Sequence, residues 1–400
     1  MTSDGSSPIL AVSELAPGPW LRLTAFGAAG ATLLAVVSGA AGLDTAHRVL
    51  AALAVPPLVA LVVAAWTSHR RLVPVSLAAL GAFGVAALVT QPTLHVAAAA
   101  LAFAVSVVLC ALTFRGAPAP NGPWRDYVAL TKPRIMTLLL LTGAGGVPAL
   151  DTLFVAMLGL ALACGGASAL NHVLDADIDQ VMGRRTARRP VAAGRVPPSR
   201  ALEFGVTLSA LSFVLLASFV NVLTAVLALV GNLFYVLVYT RWLKRATPQN
   251  IVIGGAAGAV PPLVGYAAAT GDVTVAALLL FAIVFFWTPP HFWALALLIK
   301  DSYAAARVPM LPVVRGERET TRQIVLYSFV LVAISVLPFV WGTLGFAYLA
   351  AALALGGYFV LLAWRLRAET TPARASVLFH YSLLYLALLF VAMAVDPLLT

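Results

Sequence analysis

Long apolar runs dominate the chain, and polar residues gather in the intervals between them. The runs fall at roughly residues 22–42, 46–66, 73–91, 94–114, 135–150, 153–172, 204–220, 222–240, 251–269, 276–297, 324–342, 345–364 and 377–395. Each approaches the ~20 residues an α-helix needs to cross the hydrocarbon core of a bilayer. None alternates with the period of two that a membrane strand shows, and Leu, Ala and Val fill them, so helices are predicted rather than a barrel. The pattern predicts an all-α polytopic membrane protein with about 13 transmembrane helices. Two intervals, residues 173–203 and 298–323, are longer and richer in Arg than a connection requires. Each begins with acids at the end of an apolar helix, where ionisable groups are costly unless they serve a site.

Composition narrows the class. The 400 residues are 62% hydrophobic and 10% charged, whereas globular chains are about a quarter charged. Soluble domains, disorder and collagen are excluded. A disulfide scaffold is excluded too, because only Cys110 and Cys164 exist and both lie inside apolar runs. The net charge of +10 would point a soluble protein towards nucleic acid; here it reads as topology, and no nucleic-acid partner is expected. With a cytoplasmic N-terminus, 24 of the 25 basic residues fall on the cytoplasmic side. Only Arg48 lies outside, with Asp44, Asp151, Asp272 and Asp396 as the outer acids. This positive-inside bias predicts a multi-pass protein of the cell (inner) membrane, with the N-terminus and Asp-rich loops cytoplasmic and the C-terminus outside. The first twenty residues hold no Lys or Arg, so no secretory signal is expected.

The sixth run ends NHVLDADIDQVMGRRTARRP, residues 171–190. If the helix continues, Asn171, Asp175 and Asp179 follow at i, i+4 and i+8, drifting only ~40° per step and forming one polar stripe. Asp177 points elsewhere. A lone pair of aspartates at a helix end is usually a solvated terminus balanced by nearby arginines. Here stripe, membrane position and Arg184, Arg185, Arg188 and Arg189 coincide. Oxygen ligands on one stripe suit Mg²⁺, a hard cation often held by a few carboxylates plus substrate phosphates, and arginines supply donors for such phosphates.

This run resembles the first aspartate-rich motif of the UbiA superfamily of intramembrane prenyltransferases, and most of all its branch that farnesylates protoheme IX. Three further stretches agree: TKPRIM at 131–136, YTRWLKRATPQNIVIGGAAGAVPPLVGYAA at 239–268, and WTPPHFWALALLIKDSYAAARVPMLPVV at 287–314. The resemblance covers about residues 122–400, and implies a nine-helix prenyltransferase domain over 121–400 preceded by a four-helix accessory domain over 1–120. It implies farnesyl transfer from farnesyl diphosphate to a vinyl group of protoheme IX (heme B), giving heme O for terminal oxidase assembly. Asn171, Asp175 and Asp179 would hold Mg²⁺ bridging the diphosphate, with Asp301 from a second acidic motif. That motif departs from the family pattern. The acid usually stands directly before the Tyr, whereas Ser302 precedes Tyr303 and Asp301 lies one position earlier, rotated ~100° on a helix. Lys132, Arg134, Arg188, Arg189, Lys244 and Arg245 would neutralise the leaving diphosphate, and Tyr303 would contact substrate. The farnesyl cation would be captured by the vinyl group, and water would complete the hydroxyethylfarnesyl substituent. His291 would orient or ligate the heme iron or move a proton; the competing view is a hydrogen-bonded packing histidine. Trp287, Phe292 and Trp293 read as packing or interface aromatics. The alternatives are a prenyltransferase of quinone rings, disfavoured by TPPHFW and VPMLPVV, and a non-catalytic heme carrier, which has no need of a diphosphate site. Heme A synthase and oxidase assembly factors are the protein partners this branch implies.

Residues 1–120 need their own account. TAHRVLAALA (45–54) and TLHVAAAALA (93–102) align at an offset of 48, matching His47 with His95. Both histidines fall at the outer ends of helices running the same way, where two facing imidazoles can grip a heme iron. Arg48 stands beside His47, where it can pair with a heme propionate. The block is similar to one half of heme A synthase. With a single half present, heme binding or hand-over is expected rather than oxidation of heme O.

Overall fold

The computed structural model describes residues 19–40, 44–89, 91–113, 122–144 and 150–398. Among the described residues, twelve helices are long and apolar enough to cross a membrane. The first four are α1 (Pro19–Ala40), α2 (Asp44–Ser68), α3 (Val73–Leu88) and α4 (Pro92–Leu112). Two short helices, α5 (Trp124–Leu130) and α6 (Pro133–Ala144), precede α7 (Leu150–Leu174), α8 (Ala176–Val181), α9 (Arg184–Ala187) and α10 (Pro198–Phe219). Helix α11 (Val222–Leu233) continues into a π-helix over Phe234–Leu243. The remainder is α12 (Asn250–Thr270), α13 (Val275–Leu298), α14 (Lys300–Ala305), α15 (Leu311–Val314), α16 (Gly316–Val340), α17 (Phe346–Ala368) and α18 (Pro372–Val395). The run at 135–150 is described only in part. Its described helix, α6, has 12 residues, ~18 Å at 1.5 Å per residue, against a core of about 30 Å. Residues 145–149 lie outside the described residues.

Lipid removes the hydrophobic drive between helices, so close packing and interhelical hydrogen bonds must hold the bundle. Helices α7 and α10 meet through glycine. A Cβ on Gly166 would lie 2.7 Å from the Gly205 carbonyl oxygen, so neither backbone leaves room for a side chain. The same pair is tied by Ser212 Oγ donating to the Gly159 carbonyl at 2.7 Å. Asn232 of α11 joins it, donating to the Ala163 carbonyl at 3.0 Å and to Ser209 Oγ at 2.9 Å. A second close approach sets Gly265 of α12 against the Gly143 carbonyl of α6. These contacts pack α6, α7, α10, α11 and α12 against one another.

The C-terminal helices α13, α16, α17 and α18 enclose an aromatic core with Trp293, Tyr348, Phe359 and Tyr385 fully buried. Its hydroxyls are paired: Tyr348 Oη donates to the Ser335 carbonyl at 2.6 Å, and Tyr385 Oη lies 2.8 Å from Ser335 Oγ. The N-terminal four helices have their own core, including Leu21, Leu58, Leu61 and Leu109. They also share one with the rest of the chain, where Val36, Ala86, Ala100 and Phe103 pack with Leu160, Phe213 and Leu216. The rings of Phe103 and Phe213 meet edge to face, 4.8 Å between centroids. The accessory bundle thus docks through α4 onto α10, which in turn packs on α7, the helix carrying the acidic stripe.

Candidate active site

Helix α7 ends at Leu174, and Asp175 turns the chain (φ −96°, ψ 6°) before α8. The stripe survives this break. The Asp175 amide still donates to the Asn171 carbonyl at 2.9 Å, and the Asp179 amide to the Asp175 carbonyl at 2.8 Å. The four-residue register therefore continues, and Asn171, Asp175 and Asp179 are all buried, at 3%, 1% and 1% exposure.

Three cations from separate segments close around them. Lys244 Nζ donates to Asp175 Oδ2 at 2.6 Å, Arg189 Nη1 to Asp179 Oδ1 at 2.6 Å, and Lys132 Nζ to Asn171 Oδ1 at 2.7 Å. Asn171 Nδ2 donates to Asp175 Oδ2 at 2.7 Å and to Thr240 Oγ1 at 3.1 Å. Thr240 and Lys244 belong together locally. The π-helix carries Thr240 and ends just before Lys244, and such windings recur at functional sites. Burial, with the Arg189 and Lys244 cations close by, pushes the Lys132 amine down to about 7. Burial raises the Asp179 carboxyl above its usual range, against the opposing pull of Arg189.

Two carboxylate oxygens, Asp175 Oδ1 and Asp179 Oδ2, are buried with no hydrogen-bond partner. A buried acceptor left unpaired is costly, and hard oxygen donors of this kind fit a divalent cation. No cluster of three or more His, Cys, Asp or Glu side chains able to hold a metal occurs among the described residues. Two carboxylates and an amide match a Mg²⁺ that takes its other ligands from substrate phosphates and water.

The remaining expected residues divide. Arg245 is committed to structure: it forks Asp177 with two bonds of 2.7 Å and donates to the Leu174 carbonyl at 2.6 Å. Asp177, off the stripe, is held down to about 2 by that pairing. Arg188 is exposed, and its carbonyl accepts from Arg195, which also forks Asp126 at 2.9 and 3.0 Å. The Arg134 side chain lies outside the described residues. Asp301 is exposed on α14, whereas Tyr303 is buried, with its phenol pushed up to about 12 by burial. It is Ser302 that faces the first motif, where a Cβ on Gly183 would lie 3.6 Å from its Oγ. His291 is stacked between Trp287 at 4.3 Å and Phe379 at 4.8 Å, with Nδ1 2.6 Å from Ser382 Oγ. That is a packed, hydrogen-bonded histidine between α13 and α18. Thr240 and the buried His172 beside Asn171 were not expected. Polar residues inside apolar runs are the only signal that marks them.

In the accessory bundle, His47 and His95 do meet. Their ring centroids are 5.6 Å apart at 71°. His47 Nδ1 lies 2.9 Å from the Ala35 carbonyl, and His95 Nδ1 lies 2.8 Å from the Ala86 carbonyl. A carbonyl only accepts, so Nδ1 is the donor of each ring in these bonds, which leaves Nε2 as the nitrogen that could meet a metal. Arg48 is exposed.

Residues 135–391 match the model of the UbiA prenyltransferase family. The chain belongs to this family. Curated relatives carry the name protoheme IX farnesyltransferase: one from Symbiobacterium thermophilum is 55% identical over 281 residues, covering 68% of this chain and 94% of the relative. Another, from Roseiflexus sp., is 53% identical over 279 residues, covering 68% of this chain and 52% of the relative. The chain thus spans about half the length of the Roseiflexus relative and nearly all of the Symbiobacterium one. A solved digeranylgeranylglyceryl phosphate synthase superposes with a TM-score of 0.57 at 17% identity, covering 69% of this chain and 99% of that one. A UbiA homologue from Archaeoglobus fulgidus, bound to DMAPP and Mg²⁺, gives 0.53 at 19% identity over 68% of this chain and 99% of its own. These share the UbiA fold. The α-helical, multi-pass membrane architecture of the chain is that of its family, and the acidic stripe falls within the matched region.

Proposed function

We propose that this UbiA-family chain transfers a farnesyl group from farnesyl diphosphate to protoheme IX, giving heme O. The observation that carries the reading is the pair of unpartnered buried oxygens, Asp175 Oδ1 and Asp179 Oδ2, ringed by Lys132, Arg189 and Lys244. The names of the relatives supply the acceptor. Asn171, Asp175 and Asp179 hold Mg²⁺ in this reading, consistent with the Mg²⁺ and prenyl diphosphate of the fold relative. When bound, the ion neutralises diphosphate charge as the allylic C–O bond breaks.

The chain's own residues do the rest. Arg189 offers fixed positive charge to the leaving group, and Lys132, whose amine is pushed down to about 7, takes up its full charge as the diphosphate anion arrives. Lys244 and Arg245 are positioning residues, one holding Asp175 and the other clasping Asp177. Arg188 adds charge at the cytoplasmic mouth. Tyr303 walls the site, and Asp301 acts from outside it, through water. Farnesyl C1 bonds to the terminal carbon of a porphyrin vinyl group; water then adds its oxygen to the inner vinyl carbon and gives up a proton. The apolar surroundings keep other water from the cation.

The topology that fits is a cell (inner) membrane enzyme with this site on the cytoplasmic side and the C-terminus outside, in contact with heme A synthase or oxidase assembly factors. The accessory bundle, residues 1–120, binds a heme between His47 and His95. The support is their adjacency and the two Nδ1–carbonyl bonds, the arrangement that orients metal-ligating imidazoles.

Purified protein given heme B, farnesyl diphosphate and Mg²⁺ is expected to yield a porphyrin of the mass of heme O, and none after chelation of Mg²⁺. Prenylation of a quinone precursor with no heme O formed by the same folded protein would refute the acceptor. Sharp reduced heme bands that vanish in His47→Ala and His95→Ala are expected of the bundle.

A further inference from the structure

Where α16 begins and α17 ends, the two helices border a cavity of about 420 Å³ lined by Glu317, Arg318, Thr321, Arg367 and Thr370. Its volume lies within the ~300–1,000 Å³ of small-ligand pockets. The chain fixes its side of the bundle: α16 follows α14 and α15 directly, and Ser302 of α14 faces Gly183 of the first motif. The cavity therefore opens at the same end as the acidic stripe, yet shares no residue with it. Nearby acids are already matched. Glu317 Oε1 accepts from Lys300 Nζ at 2.5 Å, Glu319 Oε2 from Arg322 Nη1 at 3.3 Å, and Glu369 pairs with Arg374 at 2.6 Å. By contrast, neither the Arg318 nor the Arg367 guanidinium has an ion pair or a hydrogen bond among the described residues. Two unmatched cations that line one cavity from different helices repel each other until an anion joins them.

We infer that this cavity binds the headgroup phosphate of an anionic phospholipid, held between Arg318 and Arg367. Arginine presents paired N–H donors that match phosphate oxygens. Arg318 stands in the first turn of α16, an end without a side-chain cap, where the helix dipole favours negative charge. A lipid rather than a soluble phosphate is favoured by the side chains deeper in the membrane. Trp364, about one turn in from Arg367, and Leu326 and Phe329, about two and three turns in from Arg318, are all exposed. Acyl chains joined to a phosphate in the cavity run along these apolar side chains. Trp364 also stands at the level where tryptophan marks the membrane interface. In the topology proposed above this is the cytoplasmic face, where anionic lipids gather and basic pockets between helices bind their headgroups. The inference depends neither on the metal nor on the prenyl acceptor.

The test reconstitutes the full chain in phosphatidylcholine vesicles with and without phosphatidylglycerol, comparing wild type with Arg318→Gln, Arg367→Gln and the double variant. Arg365→Gln is the control, since it removes the same charge two residues from Arg367 but outside the cavity. Native mass spectrometry counts the lipid retained after extraction into detergent, and melting temperatures are read in both kinds of vesicle. Wild type and Arg365→Gln are expected to retain phosphatidylglycerol and to melt higher in its presence. Losing either cavity arginine should weaken retention about fivefold, and losing both about 25-fold, with melting in phosphatidylcholine alone unchanged. If the double variant does not fold, the single variants carry the measurement. Equal losses in Arg365→Gln, or equal retention of the two lipids by wild type, would reduce the effect to diffuse surface charge and overturn the site. A melting shift from glycerol 3-phosphate alone as large as that from phosphatidylglycerol would make the ligand a soluble phosphate and overturn the lipid.

Discussion

Lys244 places its ammonium 2.6 Å from Oδ2 of Asp175, although 69 residues separate the two along the chain. Both are buried, at 8% and 1% exposure, and the bond turns the carboxylate so that Oδ1 remains unpaired. Breaking such a pair from one side strands the other charge, at about 3–5 kcal/mol. Lys244→Met is therefore expected to melt well below wild type without divalent cations. Because Mg²⁺ takes the place of the lost positive charge, it should raise the melting temperature of Lys244→Met more than that of wild type. Equal shifts in the two proteins would remove Asp175 from the metal site.

Arg245, the neighbour of Lys244 in sequence, leads to a different expectation. Its two bonds to Asp177 fasten the break between α7 and α8 to the end of the π-helix segment. Asp177 is two-thirds exposed, so solvent screens the pair and its coupling is about 1 kcal/mol or less. In a double-mutant cycle Arg245→Ala and Asp177→Ala should each cost stability, and together little more than the larger of the two. Fully additive losses would show that the fork contributes nothing.

The acidic stripe was legible in the sequence because its spacing of four depends on backbone register, which the structure keeps through the Asp175 turn. The tasks of Lys244 and Arg245 were not. Two adjacent basic residues look equivalent until the fold shows them ~100° apart on one helical segment, one turned to Asp175 and the other to Asp177. His291 was equally opaque, since the ring and hydroxyl that confine it, Phe379 and Ser382, come from α18.

Gly265 tests how tightly the site's walls are set. A methyl there would run into the Gly143 carbonyl, a backbone atom that cannot swing aside. Gly258, on the same helix α12, has nothing within 4 Å of an added Cβ. Gly265→Ala is expected to cost at least the 1–3 kcal/mol of ordinary overpacking and to lower prenyl transfer, since α6 follows Lys132 directly. Gly258→Ala should be neutral or slightly stabilising through helix propensity. Thermal melts and turnover of the two variants check the contrast, and equal behaviour would contradict the α6–α12 approach.

The histidine pair of the accessory bundle can be tested without touching either histidine. A Cβ on Gly39 would fall 2.9 Å from the His47 ring, while one on Gly30, in the same helix α1, would meet nothing within 4 Å. Gly39→Ala must therefore push the imidazole away from His95 or break its bond to the Ala35 carbonyl, and either change misaligns Nε2. Metal affinity commonly falls 10–100-fold when such orienting contacts are lost. Gly39→Ala is expected to purify with markedly less bound heme and weaker reduced bands, whereas Gly30→Ala keeps both. Heme content per protein, measured with prenyl transfer on the same samples, separates the two sites. A Gly39→Ala variant that loses heme bands yet still makes heme O would assign the bundle to binding or hand-over of heme rather than to the chemistry of transfer.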